Sequence, residues 1–251
     1  MTLSVRCFAD AEALSCAVAD EITAIAADDV RARGRASIAL SGGKTPERLF
    51  QLLAQRGADA LPWSQVDIWW CDERMVPPSD PESNYRRARE ALIEPLGLAA
   101  GRIHRIAGEL RDPEAAARAY QAALEGALGT PPVLDLCLLG LGPDGHTASL
   151  FPASPALAET SRYAVAARAP AGFAVPERVT LTMPVLRAAR RVRFLVAGGD
   201  KAVAVADALE GPRDPERHPA QMIDSGRADV GWRLDRAAAA RLHEPHTGGP
   251  E

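Results

Sequence analysis

The sequence predicts an α/β fold in which a doubly wound, mostly parallel sheet has helices on both faces. Short apolar runs rich in strand-forming residues alternate with longer, Ala-rich segments of helical character, which is the pattern of such a sheet. Several runs lack the alternation of a strand with one exposed face, as expected where both faces are covered. The Pro- and Gly-rich breaks have the length of loops rather than linkers, so residues 1–251 are predicted to form a single domain.

In the first half of the chain the pattern predicts three helices and two strands. Residues 12–33 are rich in Ala and other helix formers. Residues 37–40 and 66–71 are short runs containing Ile, Val and Trp, which are typical of strands. Helices are predicted to follow these two strands at residues 46–55 and 85–96.

The second half continues the alternation. Residues 113–128 form an Ala-rich helical segment that begins at a proline, a residue suited to the first turn of a helix. Three apolar runs are predicted to be strands, at residues 133–139, 178–183 and 192–197. Residues 201–209 are predicted to form the last helix, and the tail at residues 243–251 is expected to be flexible.

Composition and charge exclude several classes of protein. The chain has 29 Lys and Arg against 33 Asp and Glu, a net charge of −4, and it has no basic block. This balance argues against nucleic acid or an anionic membrane as the main partner. The four cysteines lack metal-site spacing, so no metal centre is predicted and reduced thiols are expected. With no leader-like N-terminus and no long apolar run, a cytoplasmic location is expected.

Four of the predicted strands are followed by residues suited to chemistry or anion binding. In open parallel sheets, ligands bind where the carboxyl ends of the strands meet the following helices. The strand at residues 37–40 is followed by Ser41, Gly42, Gly43 and Lys44. The glycines let the backbone approach an anion closely, and the next helix offers free N–H groups to a phosphate. A P-loop is excluded because the first glycine of that motif is missing. The alternative is a tight strand–helix turn without a ligand.

Asp72 and Arg74 follow the strand at residues 66–71, which places a carboxylate and a guanidinium at the same edge of the sheet. Arginine is suited to bidentate recognition of phosphate. A purely structural Asp–Arg pair is the alternative. The Pro-rich sequence that continues to Ser83 is predicted to be an ordered loop forming one wall of the site.

The third strand is followed by Gly140, Gly142 and Gly145, whose spacing matches the dinucleotide fingerprint. We reject that interpretation because prolines interrupt the long helix that should follow. Asp144 and His146 are more informative, since an acid and an imidazole are held on a glycine-rich turn. Histidine has the unperturbed pKa best suited to acid–base catalysis near neutral pH. A structural histidine is the alternative.

Lys201 follows the strand at residues 192–197, in the first turn of the last predicted helix. A cation there faces the positive end of the helix dipole, which is unfavourable unless the side chain reaches solvent or an anionic ligand compensates. The sequence therefore favours an anion site that includes Lys201. A nearby cluster is interpreted as part of a solvated surface: Arg187, Arg190, Arg191 and Arg193.

Four ordered motifs identify the family that the sequence resembles. They are SGGKTPERLF (41–50), WCDERMVPPSDPESNYRRARE (70–90), LLGLGPDGHTASLFP (138–152) and FLVAGGDKA (194–202). Together they resemble the 6-phosphogluconolactonases, over residues 8–242. The resemblance implies a Rossmann-like fold shared with glucosamine-6-phosphate deaminases, ribose-5-phosphate isomerases and coenzyme A transferases. It also implies a carboxylic ester hydrolase that converts 6-phospho-D-glucono-1,5-lactone to 6-phospho-D-gluconate in the oxidative pentose phosphate pathway, without cofactor or metal.

The nearest alternative is the deaminase branch, which shares the glycine-rich DGH core. Those enzymes resemble this stretch but continue with an acidic residue for ring opening, whereas residues 147–152 contain no carboxylate. This departure favours the lactonase. A non-catalytic sugar-phosphate sensor is a second alternative, although a protein that only binds its ligand does not require an acid–base residue such as His146. A nicotinamide-dependent oxidoreductase is a third.

The resemblance implies a catalytic role for three residues. His146 is expected to act as general base on the attacking water and then to return the proton to the departing ring oxygen. Asp72 and Asp144 are both candidates to assist. Asp72 is preferred for direct participation because it follows a separate strand.

Substrate binding is assigned to the other strand ends. Arg74 and Lys201 are expected to bind the 6-phosphate, with Lys44 or Arg87 as further cations. The oxyanion is expected to meet backbone N–H groups of the turn Ser41, Gly42 and Gly43. The expected partner is a small sugar-phosphate lactone, and the chain is expected to be a monomer or a weak homo-oligomer.

Overall fold

The computed structural model describes residues 3–223 and 228–243, which include only the first residue of the expected flexible tail. The described strands are β1 (Leu3–Phe8), β2 (Ala36–Leu40), β3 (Val66–Trp70), β4 (Asp72–Arg74), β5 (Leu136–Leu139), β6 (Ala164–Arg168), β7 (Glu177–Leu181), β8 (Arg191–Val196) and β9 (Asp229–Asp235). The described α-helices are α1 (Ala11–Arg33), α2 (Lys44–Gln55), α3 (Asn84–Ala88), α4 (Glu94–Leu96), α5 (Pro113–Leu128), α6 (Met183–Ala188) and α7 (Ala202–Leu209). A π-helical turn, Arg89–Ile93, joins α3 to α4.

The predicted fold class is confirmed. Six strands form one sheet in the order β1-β9-β8-β5-β2-β3, and every neighbouring pair in it is parallel. Strands β2 and β3 are buried along their whole length because helices cover both faces of the sheet. A smaller antiparallel sheet has the order β4-β7-β6, so the predicted strand at residues 178–183 pairs outside the main sheet.

The order of the strands places a crevice between β2 and β5. The chain leaves β2 for its neighbour β3 on one side and later returns to β5 on the other side. Such a reversal opens a binding crevice at the carboxyl ends of the two strands. The Ser41 hydroxyl closes the bottom of this crevice by donating to the carbonyl oxygen of Leu138 at 2.7 Å.

Helix α1 shows how local sequence sets an element's limits. The Asp10 side chain accepts from the backbone N–H of Ala13 at 2.8 Å and so caps the first turn. Gly34 ends the helix with a φ of +73°, a left-handed conformation that favours glycine, and its N–H donates to the carbonyl oxygen of Val30. No helix within the described residues is both long and apolar enough to cross a bilayer.

Most of the arginines predicted to lie on a solvated surface form ion pairs instead. The prediction is wrong for Arg193, which is 5% exposed and donates to Glu21 and Asp229 at 2.5 and 2.8 Å. Arg190 and Arg191 pair with Asp135 and Asp29. Arg193 is held in the interior because Glu21 of helix α1 and Asp229 of strand β9 both accept from its guanidinium.

Tyr120 ties α5 to the end of β3 and is the basis of a stability prediction. Its buried hydroxyl accepts from the N–H of Trp70 at 2.9 Å and donates to the carbonyl oxygen of the same residue at 2.7 Å. Tyr120→Phe leaves both backbone groups without partners, so we expect the free energy of unfolding to fall by about 1–3 kcal/mol. Urea denaturation measures this loss.

The control for this experiment is Tyr163→Phe. The Tyr163 hydroxyl makes no hydrogen bond within the described part of the chain, and its side chain is half-buried. We expect this variant to stay within about 0.5 kcal/mol of wild type. Equal losses in the two variants would contradict the anchoring role of Tyr120.

Candidate active site

A cavity of about 640 Å³ opens at the carboxyl edge of the main sheet. Its walls come from the ends of β2, β5 and β8 and from the small sheet. It contains eight of the residues selected from the sequence: Ser41, Gly42, Gly43, Lys44, Asp72, Arg74, His146 and Lys201. The motifs that follow four separate strands therefore meet in one space.

His146 and Asp144 form a hydrogen-bonded pair at this cavity. Asp144 Oδ1 lies 2.5 Å from His146 Nδ1 and also accepts from the backbone N–H of His146 at 3.3 Å. Burial opposes ionisation of Asp144, but the bonds from His146 outweigh it and lower the pKa of this carboxyl. An ionised Asp144 needs the proton on Nδ1, which leaves Nε2 of a neutral imidazole as an acceptor.

Glycines make the turn that carries the pair. Gly145 has a φ of +87°, a left-handed conformation that glycine adopts at little cost. A β-carbon on Gly142 would overlap the imidazole of His146 and the carboxylate of Asp144. Gly142 and Gly145 are thus required by the space and the turn of the acid–imidazole pair, not by a dinucleotide.

Asp72 is held by different partners. It is 5% exposed, and its Oδ2 accepts from the Ser149 hydroxyl at 2.6 Å. The Asn84 amide donates to Asp72 Oδ1 at 3.2 Å and to the Asp72 carbonyl oxygen at 2.9 Å. Among the described residues no hydrogen bond joins Asp72 to His146, so Asp144 is the carboxylate that orients the imidazole.

Glu73 anchors the wall of the cavity from behind. This carboxylate is 2% exposed, and burial raises its pKa. It accepts four hydrogen bonds of 2.7–3.0 Å, from the N–H groups of Arg74, Asn84 and Tyr85 and from the Ser83 hydroxyl. The Pro-rich loop predicted from the sequence is thereby fixed at its end, where α3 begins.

Two arginines lie side by side on the small sheet. Arg74 and Arg178 are direct cross-strand partners in the antiparallel pair β4–β7, and both line the cavity. Arg178 is 4% exposed; its burial and the neighbouring Arg74 lower its pKa. Like charges directly opposite each other are destabilising, and within the described chain the buried Nε of Arg74 has no partner. Arg74 Nη1 lies 3.6 Å from Glu82 Oε2, whereas Arg178 forms no ion pair within the described residues, so the two side chains bring positive charge to the cavity wall.

Arg178 is not among the residues predicted from the sequence. Those residues all come from segments that follow a predicted strand, whereas Arg178 lies at the beginning of a strand. The signal available was a charged residue directly before the apolar run VTLTM. The pairing of β4 with β7, which brings Arg178 to Arg74, joins residues about a hundred positions apart and is not visible in the local sequence.

The amino end of α2 faces the same cavity. Gly43 is its N-cap, with a φ of +115° and no side chain that caps the first turn within the described residues. Lys44 and Thr45 therefore present backbone N–H groups where an anion is favoured. Across the cavity, Lys201 lies 3.1 Å from the carboxylate of Asp200 and precedes α7.

Arg87 does not line the cavity that contains His146. Its guanidinium lies 3.1 Å from Glu47 Oε2 and donates to the carbonyl oxygen of Pro81 at 3.2 Å. It lines a separate surface groove between α2 and α3 rather than the cavity that contains His146. We therefore leave Arg87 out of the site proposed below. Among the described residues no group of three or more His, Cys, Asp or Glu side chains is placed to hold a metal ion.

Comparisons with known proteins show the family of the chain. The family of glucosamine-6-phosphate isomerases/6-phosphogluconolactonase matches residues 9–232. A 6-phosphogluconolactonase of Streptomyces coelicolor is 40% identical over 243 residues, which cover 93% of this chain and 92% of that one. Its counterpart in Mycobacterium tuberculosis is 40% identical over 249 residues, which cover 96% and 99%. The solved 6-phosphogluconolactonase from Trypanosoma brucei is 28% identical, with a TM-score of 0.86 over 96% of this chain and 99% of that one. The predicted family resemblance is confirmed.

Gly42 provides a test of how tightly the site is built. A β-carbon there would overlap the amide oxygen of Asn84, the residue that donates to Asp72. We expect Gly42→Ala to lower the free energy of unfolding by about 1–3 kcal/mol, because Asn84 has to move. Gly140→Ala is the matched control, since a β-carbon at Gly140 meets nothing within 4 Å. Thermal denaturation of both variants checks the prediction, which is wrong if Gly42→Ala is as stable as Gly140→Ala.

Proposed function

The chain belongs to the family of glucosamine-6-phosphate isomerases and 6-phosphogluconolactonases, and we propose that it hydrolyses 6-phospho-D-glucono-1,5-lactone to 6-phospho-D-gluconate. This is the lactone-opening step of the oxidative pentose phosphate pathway. The observation that carries the proposal is an imidazole oriented by Asp144 in a cavity that also contains Arg74, Arg178 and Lys201. A base and a group of cations in one space suit a phosphorylated ester.

His146 serves as the general base. Its Nε2 removes a proton from water while the water oxygen bonds to the lactone carbonyl carbon and forms a tetrahedral oxyanion. When the oxyanion collapses, the bond between that carbon and the ring oxygen breaks. The proton on Nε2 passes to the departing ring oxygen, which becomes the hydroxyl group of the product acid. The imidazole ends as it began, so no cofactor is needed.

The electrostatics of the pair suit this sequence. During the reaction the imidazole carries a positive charge, and the ionised Asp144 on Nδ1 stabilises it. Because Asp144 takes that role, Asp72 is assigned to orient the attacking water. Asp72 lines the cavity, and the bonds from Ser149 and Asn84 hold its carboxylate in place.

The oxyanion is assigned to the turn at the amino end of α2. Backbone N–H groups near Gly42 and Gly43 and the positive end of a twelve-residue helix face the cavity there. Donors that are fixed before the reaction stabilise the developing charge without reorganisation. Ser41 positions the turn through its bond to the Leu138 carbonyl oxygen.

The phosphate is assigned to Arg74, Arg178 and Lys201, with Lys44 as a further cation. A phosphate dianion offers acceptors to both guanidinium groups and removes the repulsion between them. The deaminase alternative is disfavoured, since the segment at residues 147–152 supplies the cavity with no carboxylate. We place the reaction in the cytoplasm, in line with the four free cysteines.

His146→Asn tests the base. We expect kcat to fall by about 100-fold or more, because asparagine cannot accept the proton. KM and thermal stability should stay near wild type. The measurement is hydrolysis of freshly prepared 6-phosphogluconolactone, corrected for spontaneous ring opening. His243→Asn is the control, because the side chain of His243 is 92% exposed. Near wild-type turnover by His146→Asn would remove His146 from the mechanism.

Arg178→Ala and Arg74→Ala test the phosphate site. Each charge-assisted contact is worth about 1.5–3 kcal/mol, so we expect KM for the phosphorylated lactone to rise at least about 10-fold in either variant. Hydrolysis of unphosphorylated glucono-1,5-lactone should be unaffected, because it lacks the group that these residues bind. Arg168→Ala is the control, with a guanidinium 72% exposed outside the cavity. Equal losses on both lactones would contradict the assignment.

A further inference from the structure

Phe173 is an aromatic residue in the wall of the cavity that contains His146, Arg74 and Arg178. Among the described residues the exposed large apolar side chains are Leu3, Leu110, Phe173 and Val203. Phe173 is 36% exposed and is the member of this group that lines the cavity. An aromatic ring in contact with water loses favourable burial, so a ring held at a binding site indicates an apolar surface of the ligand.

The ring of Phe173 lies between the two ends of the site. Its centroid is 5.7 Å from that of His146, in an edge-to-face arrangement with an interplanar angle of 77°. The guanidinium carbon of Arg178 lies over the same ring, 5.6 Å from its centroid. On the side of the core the ring packs against the buried Phe151, with 5.3 Å between centroids. Phe173 thus connects the proposed base to one of the proposed phosphate cations.

The loop between β6 and β7 holds Phe173 in this position. The N–H of Ala169 donates to the carbonyl oxygen of Pro176 at 2.8 Å and closes the base of the loop. Arg178 Nε donates to the carbonyl oxygen of Val175 at 2.9 Å. Gly172 adopts a φ of +102° directly before the aromatic residue. The ring is therefore set in place before any ligand arrives, which lowers the entropy cost of binding.

We propose that Phe173 is a specificity-determining residue whose ring packs against the C–H face of the substrate's sugar ring. In a 6-phosphorylated gluconolactone the ring contains the reactive carbonyl carbon and carries the phosphate on its C6 arm, so the sugar ring has to lie beside a side chain that contacts both His146 and Arg178, as Phe173 does. The hydroxyl groups of the gluco configuration lie around the rim of the ring and leave both faces apolar. An aromatic surface then binds the sugar ring itself, independently of the phosphate. This inference rests on the proposed lactonase function.

The test separates sugar binding from phosphate binding in Phe173→Ala. Steady-state hydrolysis of 6-phosphogluconolactone gives KM and kcat, and competition by inorganic phosphate gives an inhibition constant for the phosphate site alone. We expect KM to rise about 3- to 10-fold, in line with the loss of one aromatic contact. The inhibition constant for inorganic phosphate should stay within about twofold of wild type, because phosphate has no apolar face. Phe173→Tyr retains the ring and should restore KM.

Leu110→Ala is the matched control, since Leu110 is 41% exposed and lies outside the cavity. Its kinetics should equal those of wild type. An unchanged KM in Phe173→Ala overturns the inference. A parallel rise in KM and in the phosphate inhibition constant also overturns it, because the ring would then act only by positioning Arg178. If Phe173→Ala does not fold, Phe173→Leu against Phe173→Tyr makes the same comparison. Absence of turnover in the wild type would overturn the proposed function instead.

Discussion

The arrangement of the active-site wall depends on one buried carboxylate, that of Glu73, which requires hydrogen-bond donors. An ionised or neutral carboxyl removed from water is costly unless donors surround it, and Glu73 finds all of its donors in the neighbouring backbone and in Ser83. Satisfying Glu73 brings the start of α3 against β4, and with it the amide of Asn84 against Asp72. Because side chains alternate along a strand, Asp72 and Arg74 face the cavity while Glu73 faces the interior.

Two carboxylates near the same cavity are kept in different environments. Asp144 is partly exposed and bonds to the imidazole of His146, whereas Asp72 is buried and bonds to Ser149 and Asn84. Different environments allow two chemically identical groups to have separate roles. The two carboxylates have different surroundings because they follow different strands, β5 and β3, whose carboxyl ends lie on opposite sides of β2.

The cavity is locally basic although the chain as a whole carries a net charge of −4. Four cations line it, namely Lys44, Arg74, Arg178 and Lys201, against the two carboxylates of Asp72 and Asp200. A cleft lined by one sign of charge between low-dielectric walls focuses the field and attracts an oppositely charged ligand.

The sequence alone determined the fold class and identified eight of the residues that line the cavity, because both follow from short-range patterns. The alternation of apolar runs with helical segments implies parallel strands, whose carboxyl ends meet at one edge, so residues that follow the runs converge there. The partners of individual side chains were decided by tertiary structure. Pairing of β4 with β7 brings Arg178 to Arg74, and the packing of α2 against α3 takes Arg87 to Glu47 instead. These contacts join residues far apart in the chain, and their register is set by packing across the whole fold, which no local pattern contains.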